Sequence, residues 1–468
     1  MWNTMKKGIV ISARKLNTLW IARSSGNPYY FSLMKGFFVF VIALIHTMQI
    51  SAEETDMIIQ GRVIDIQTGL GIPNVTIYTL DGRMCTQSNE DGDYILALEC
   101  HKITSVVFSS FGYVRDTVAC MELKRHPVVK LQPGGLMLKE FSVEAMSPYG
   151  LLDEVLKRIP LNYRADTTRN IYFSRYCHMA NDSVYLFYEN AFESLRTGYG
   201  KLDKKRKINY DNDRNRQLGN YNTVLRSRLL IIDSNYLFYL IRSRSRVREM
   251  LSYNENNVIA DPIEAPNAHI MLAKRKRKQL KMSLIELDDS LGNGHYLLTM
   301  KGLGRIFCLV VNPNDYAITS ITIDQDTGTT IFPTKKTYRE RHALAKQICH
   351  QRHTEYKYEK INGKYTLVSY KYHNIYTDVC HNEYRWRDAP TVQKFQCSGL
   401  VQLIEQTPVD YSQENVLFPE LQKKVSLDQV ATKHTQYDAD FWQGISFPAI
   451  PRSMEQVVNA TLQRLETP

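Results

Sequence analysis

Between Met57 and Leu131 apolar and polar positions alternate with a period of two, and turn residues cut the alternation into short pieces. Ile59, Gly61 and Val63 fall on one face and Gln60 and Arg62 on the other, which predicts a half-buried strand over Met57 to Asp65. Gly69, Gly71 and Pro73 interrupt it, and Val75, Ile77 and Thr79 resume it until Asp81-Gly82, a dipeptide suited to a tight hairpin. Further strands are predicted at Cys85 to Ser88, Tyr94 to Leu98, Ile103 to Ser110, Thr117 to Ala119 and Pro127 to Leu131. Seven short strands at this spacing predict an antiparallel β-sandwich over 57–132.

At Ser147 the period changes. Ser147-Pro148 reads as a helix N-cap and first-turn proline, Leu151, Leu152, Val155, Leu156 and Ile159 share one helical face, and Pro160 is expected to end the helix. Strand-like Ile171 to His178 and Val184 to Phe192 follow, and Lys201 to Asn222, charged and poor in apolar residues, predicts an exposed loop. Met282 to Glu405 reads as an antiparallel meander with turns at Gly292-Asn293-Gly294, Asn312-Pro313-Asn314-Asp315, Asp326-Thr327-Gly328 and Asn362-Gly363. Tyr437 to Trp442 predicts a docking tail, and Ser453 with Gln456 a capping box for a last helix carrying Val457, Val458, Leu462 and Leu465. The fold class expected is mainly β: an N-terminal antiparallel β-sandwich, a linker strand over 133–146, and a larger β-rich α+β domain over 147–468 with a helix at each end.

The order of landmarks in the first module resembles a known family. Gly61-Arg62-Val63-Ile64-Asp65, Gly71-Ile72-Pro73-Asn74-Val75, Asn89-Glu90-Asp91-Gly92-Asp93-Tyr94 and Phe108-Ser109-Ser110-Phe111-Gly112-Tyr113 are similar to those of the carboxypeptidase regulatory-like domain, a prealbumin-like sandwich of bacterial envelope proteins. Phe141-Ser142-Val143-Glu144-Ala145 resembles the short strand that often leads out of that module. The resemblance covers roughly a fifth of the chain and implies an extracytoplasmic setting; it does not imply an attached peptidase. Arg305 to Val311 followed by Ala317 to Asp324 resembles the paired strands of curved envelope sheets such as those of lipoprotein carriers.

Location has a separate signal. Met34-Lys35 precedes the apolar run Gly36 to Ile50, with Ser51-Ala52 just after it, so residues 1–52 are expected to be an export signal with an upstream extension before Met34. The run is about 15 residues, short of the roughly 20 that span a bilayer. No cysteine follows it closely, which argues against a lipid anchor. The formal net charge of +11 includes six basic residues before Glu53; the remainder carries 53 basic against 48 acidic residues, a charge of +5. Lys274-Arg275-Lys276-Arg277-Lys278 with Lys281 is expected to be a solvated strand or loop, the alternative being attraction to acidic surface polymer or lipid phosphate with help from Lys204 to Lys207 and the alternating Arg242, Arg244, Arg246 and Arg248; no nucleic-acid partner is expected of an exported chain.

Eight cysteines, at 85, 100, 120, 177, 308, 349, 380 and 397, contain no Cys-x-x-Cys pair and select no disulfide pairing by spacing. Catalytic motifs are absent: no His-x-x-Glu zinc pair, no His-Glu-x-x-His, no Gly-x-Ser-x-Gly elbow and no phosphate loop occur. Asp288-Asp289 and Asp324 with Asp326 lie in turn-like sequence. His342, His350 and His353 beside Cys349 suggest a helical metal cluster set against an ordinary polar helix, and Asp91 and Asp93 around Gly92 a calcium loop set against a plain turn. No catalytic, cofactor or metal residue is assigned. Tyr356, Tyr358, Tyr365, Tyr370, Tyr372 and Tyr376 suit either strand packing or a sugar or protein contact.

The expectation is an exported, periplasmic or outer-membrane-associated protein that binds or spaces an envelope protein, glycan or lipid, with no transmembrane barrel of its own. The rival classes are a hydrolase of envelope glycan or peptide, which needs a pocket with convergent acids or metal ligands, and a carrier, which needs an apolar trough under the meander.

Overall fold

All seven strands foreseen in the first module are present, divided between two facing sheets. The computed structural model describes residues 57–80, 82, 85–98, 103–134, 137–138, 146–166, 168–181, 183–196, 221–232, 261–263, 277–288, 294–325, 327–331, 344–380, 392–408 and 439–466. The first sheet contains β1 (Met57–Asp65), β4 (Asp93–Leu98) and β7 (Val128–Leu131); the second contains β2 (Thr76–Thr79), β3 (Cys85–Gln87), β5 (Ser105–Ser109) and β6 (Asp116–Ala119). Ile59 and Val63 are buried and Ile58 and Gln60 exposed, as the alternation requires. They join Ile77, Leu96, Val106, Phe108, Leu123, Val129 and Leu131 in one core, where a fully buried side chain of this kind contributes about 1.5–3 kcal/mol.

One pair departs from the antiparallel expectation. β7 runs parallel to β1, with Arg62 opposite Val128 and Asp65 opposite Leu131. A short helix, α1 (Cys120–Arg125), carries the chain from β6 in one sheet to β7 in the other, so β7 arrives beside β1 in the same direction. The close approach depends on Gly61, where a Cβ would stand 2.2 Å from the Pro127 carbonyl oxygen.

After β8 (Met137–Leu138) comes α2 (Pro148–Asn162), whose Ser147 hydroxyl accepts from the Gly150 amide at 3.0 Å. Pro160 does not end the helix as expected. It lies in the last turn, and the Tyr163 amide still reaches the Ile159 carbonyl at 3.1 Å. The remaining strands are β9 (Thr168–Ala180), β10 (Ser183–Arg196), β11 (Tyr221–Ile232), β12 (Lys281–Asp288), β13 (His295–Gly302), β14 (Arg305–Val311), β15 (Ile318–Gln325), β16 (Gly328–Ile331), β17 (Leu344–Ile361), β18 (Lys364–Cys380) and β19 (Val392–Pro408). With β8 they make one sheet in the order β11-β10-β9-β19-β18-β17-β15-β14-β13-β12-β8, with β16 also paired to β17. The meander is thus real, and Asn362-Gly363 turns it with φ of 51° and 77°.

α2 packs on one face of this sheet, where Leu151, Leu152 and Val155 meet Leu298, Leu309, Ile321 and Tyr358. The opposite face meets the sandwich. There the chain finishes with α3 (Ala439–Gln443), β20 (Phe447–Pro448) and α4 (Arg452–Glu466). β20 pairs with β4 and extends the sandwich sheet by one strand. The last helix begins at Arg452, so Ser453 sits inside its first turn and is not the cap expected; the Arg452 amide instead donates to Asp91 Oδ2 at 2.8 Å. Asp56–Pro468 belong to one unit, which holds the sandwich, the large sheet and these closing elements together. Among the described residues no helix is long and apolar enough to cross a membrane.

Several expectations lie outside the described residues: the export signal, Phe141 to Ala145, the loop from Lys201 up to Asn220, Arg242 to Arg248, Lys274 to Lys276 and His342. Of the basic tract, Arg277 and Lys278 form a 3-10 turn leading into β12.

Candidate functional site

Antiparallel pairing fixes which side chains share a face, and it lines up two polar rows on the sandwich side of the large sheet. In one row Glu355 stands opposite Lys371, Lys371 opposite Leu400, Leu400 opposite Arg175, and Arg175 opposite Glu189. In the next, His353, His373, Ser398 and Cys177 follow one another across the same four strands. Facing them from the sandwich are Asn74 and the β3–β4 turn, Gln87 to Glu90; Pro448, Ala449, Pro451 and Met454 close the side. Together these groups line a half-open cavity of about 290 Å³.

The walls are tied together through charge. Arg175, 5% exposed at its side chain, donates to Glu189 Oε1 at 2.6 Å, and Glu189 is fully buried. The same guanidinium donates to the Pro448 carbonyl at 2.7 Å and the Ala449 carbonyl at 3.0 Å, which anchors β20 to β9. Asn89 Nδ2 donates to the Ile450 carbonyl at 3.3 Å, and the Ala97 amide to Ser446 Oγ at 2.9 Å. Lys357 Nζ donates to the Asn74 carbonyl at 2.6 Å, and Lys371 Nζ donates to Asn74 Oδ1. Glu359 lies 3.9 Å from Arg115 of the sandwich.

Burial shifts these groups away from their ordinary charge. It pushes the Lys371 ammonium down to about 8, with Glu355 opposing the shift and Lys357 adding to it. Burial likewise lowers Lys357 and His373 and raises Glu359. The Cys177 thiol is pushed up to about 12 by burial, helped by Cys397, so it is no thiolate nucleophile at neutral pH.

The histidine expectation needs correction. His350 and His353 lie on strand β17 and not on a helix, because the segment pairs along its length with β18. They take separate partners: His350 Nε2 meets Thr377 Oγ1 at 2.8 Å, and His353 Nδ1 meets Asp324 Oδ1 at 2.6 Å. Among the described residues no group of three or more His, Cys, Asp and Glu is placed to hold a metal. The Asp91-Gly92-Asp93 loop is a plain turn, with Asn89 Oδ1 accepting from the amides of Asp91 and Asp93 at 2.9 and 2.8 Å. Asp93 is engaged by Arg62 and Arg452 at 3.5 and 3.4 Å.

The tyrosines pack. Tyr356, Tyr358 and Tyr365 are buried, and a ladder crosses the sheet from Tyr356 to Tyr370 (5.0 Å), Tyr372 (6.0 Å), Tyr176 (6.4 Å) and Tyr188 (4.9 Å). Among the described residues the trough under the meander is filled by α2 and by Tyr163, whose hydroxyl donates to the Ile318 carbonyl and accepts from the Ile318 amide, both at 2.8 Å.

The junction cavity was missed at the sequence level because its residues are scattered from Asn74 to Met454 and alternate like any solvated strand face. One signal was available: Arg175 interrupts an otherwise apolar neighbourhood of Phe173, Tyr176 and Cys177, where a charge needs a buried partner.

No protein-family model matches this chain, and no curated protein matches it. Among solved structures, a chain from the complex of Pseudomonas aeruginosa MucA and MucB is similar with a TM-score of 0.16 and 7% identity, over 56% of this chain and 99% of that one, a likeness too slight to carry an argument.

Proposed function

We propose that this is an exported, non-catalytic protein of the bacterial envelope, in which a sandwich of the carboxypeptidase regulatory-like type and a large antiparallel sheet jointly form a binding site. The observation that carries the reading is the cavity at their junction, walled by both parts and closed by the C-terminal segment. Ligand sites occur preferentially where two such units meet. Export is supported by the apolar run Gly36 to Ile50 after Lys35 and by the disulfide at Cys120, a bond that persists in oxidising compartments.

Fractionation of cells expressing a C-terminally tagged chain tests the location. The expected result is a shortened protein in the periplasmic or outer-membrane fraction; uncleaved protein in the cytoplasm overturns it. The Asp324–His353 contact beside His373 and Ser398 favours a hydrolase as second reading. The Ser398 hydroxyl, however, donates to the Cys177 carbonyl at 3.3 Å and to no imidazole, leaving it without a base. Labelling of Ser398 by an organophosphonate would establish that second reading in place of the first.

A further inference from the structure

One face of the large sheet stays open to solvent beyond the sandwich. On β12, β13 and β14 the residues Leu284, Leu298 and Leu309 turn into the α2 core. The alternate positions face the other way, and cross-strand pairing sets them in rows. Lys281 stands opposite Lys301, Ser283 opposite Thr299, and Ile285 opposite Leu297, which in turn stands opposite Val310. Lys281, Lys301 and Ser283 are exposed, Ile285 is 41% exposed, and Thr299, Leu297 and Val310 are half-buried. The face therefore grades from ammonium through hydroxyl to hydrocarbon between Lys281 and Ile285, about 14 Å at roughly 3.4 Å per residue. Phe111 of the sandwich, 44% exposed, extends the apolar end, its ring edge-on to His295 at 5.3 Å.

The basic end has no counter-charge. Like charges directly opposite on a sheet are destabilising, and among the described residues no ion pair engages Lys278, Lys281 or Lys301. Lys278 is exposed in the turn that enters β12, and a Cβ on Gly302 would stand 2.4 Å from the Gln279 carbonyl oxygen, which sets that turn beside Lys301. Of the carboxylates on these strands and β15, Glu286 stands opposite Tyr296 on the α2 side, Asp288 lies at the far end opposite Met137, and Asp324 meets His353 Nδ1 at 2.6 Å.

We propose that this face docks the protein on an anionic lipid surface, with Lys278, Lys281 and Lys301 meeting lipid phosphates while Ile285 and Phe111 enter the acyl boundary. A soluble acidic polymer would satisfy the lysines and leave the exposed hydrocarbon in water. A neutral bilayer would take up the hydrocarbon and leave the lysines unpaired. Lysine suits the geometry because its stem lies along apolar surface while the ammonium reaches a headgroup. The inference goes beyond the proposed binding role, uses no residue of the junction cavity, and stands or falls independently of it.

The test is co-sedimentation of the full purified chain with vesicles of phosphatidylcholine alone and of an equimolar mixture of phosphatidylcholine and phosphatidylglycerol. Any contribution from the apolar run Gly36 to Ile50 is common to every protein compared. The parent is expected to bind the anionic vesicles roughly a hundredfold more tightly than the neutral ones, the effect of three near-surface lysines. Lys281→Gln/Lys301→Gln is expected to weaken that binding about thirtyfold, while Lys157→Gln, on α2 at the opposite face of the sheet, leaves it unchanged. Ile285→Ser is expected to weaken binding to anionic vesicles about tenfold without changing binding to soluble polyglutamate. Thermal melts show that the variants fold. Equal binding to both vesicle types, or a parent and a double lysine variant that bind alike, overturns the docking face. Polyglutamate bound as tightly as the anionic vesicles, with Ile285→Ser silent in both, overturns the lipid and makes an acidic polymer the partner. Sedimentation with neither vesicle type overturns the proposal outright.

Discussion

His178 offers a direct reading of how dry the large sheet is. Its ring is 6% exposed, Nε2 lies 3.4 Å from the Tyr372 hydroxyl, Nδ1 has no partner among the described residues, and the ring sits edge-on to Tyr185 at 6.0 Å. Burial holds its pKa down to about 4, against 6.5 for an ordinary histidine. Between those values the unfolded chain takes up a proton that the folded chain refuses. Stability is therefore full above pH 6.5 and falls as pH drops through the window towards 4. The complete gap is worth about 3 kcal/mol, and about 2 kcal/mol of it is gone at pH 5. Urea unfolding followed by tyrosine and tryptophan fluorescence at pH 7 and pH 5, in the parent chain and in His178→Gln, isolates this one group because other titrations cancel in the comparison. The variant is expected to lose about 2 kcal/mol less on acidification than the parent. An identical loss in both proteins would mean that His178 is hydrated or protonated in the fold, and the packing of β9 against β10 and β18 would have to be redrawn.

Other perturbations test separate joints. Arg175→Met strands Glu189 in a fully buried position and should cost about 3–5 kcal/mol in urea unfolding, most of it recovered in Arg175→Met/Glu189→Leu; no recovery would show that the pair holds β20 and not merely itself. Asp91→Ala removes the acceptor for the first amide of α4 and should lower stability by about 1 kcal/mol, read as a fall in the urea midpoint. Gly399→Ala places a Cβ 2.1 Å from the Tyr372 ring and should cost about 1–3 kcal/mol by overpacking; a variant as stable as the parent would show that the tyrosine ladder is not seated over β19.

The sandwich was legible because strands such as β7 keep a period of two and its turns carry residues that tolerate positive φ, as Gly82 and Gly92 do, and as Asn362-Gly363 do further along the chain. The start of α2 was legible for the same local reason, a serine whose hydroxyl caps the first turn. What could not be read were features made by distant partners. β7 lies parallel to β1 because α1 moves the chain between sheets, and nothing in Val128–Leu131 itself records that direction. β20 is two residues long and has no period to detect; it exists through its pairing with β4. Leu344–Ile361 carries polar residues such as Gln351, Arg352 and His353 that favour neither helix nor strand, and pairing with β18 decides the outcome. The cavity belongs to the same class: Glu355, Lys371 and Arg175 become neighbours only through the register of β17, β18, β19 and β9.

Whether the sandwich, the sheet and the tail form one closed body can be read at a single amide. Ala97 lies on β4, and its N–H is bonded to Ser446 of the C-terminal segment. Without that segment β4 would be an open sheet edge, and such an amide exchanges quickly with solvent. Hydrogen-exchange measurement on the full-length chain is expected to find Ala97 as protected as its neighbours Leu96 and Leu98. Exchange of Ala97 at the rate of an exposed edge, with those neighbours still protected, would place the tail elsewhere and leave the cavity without its closing wall.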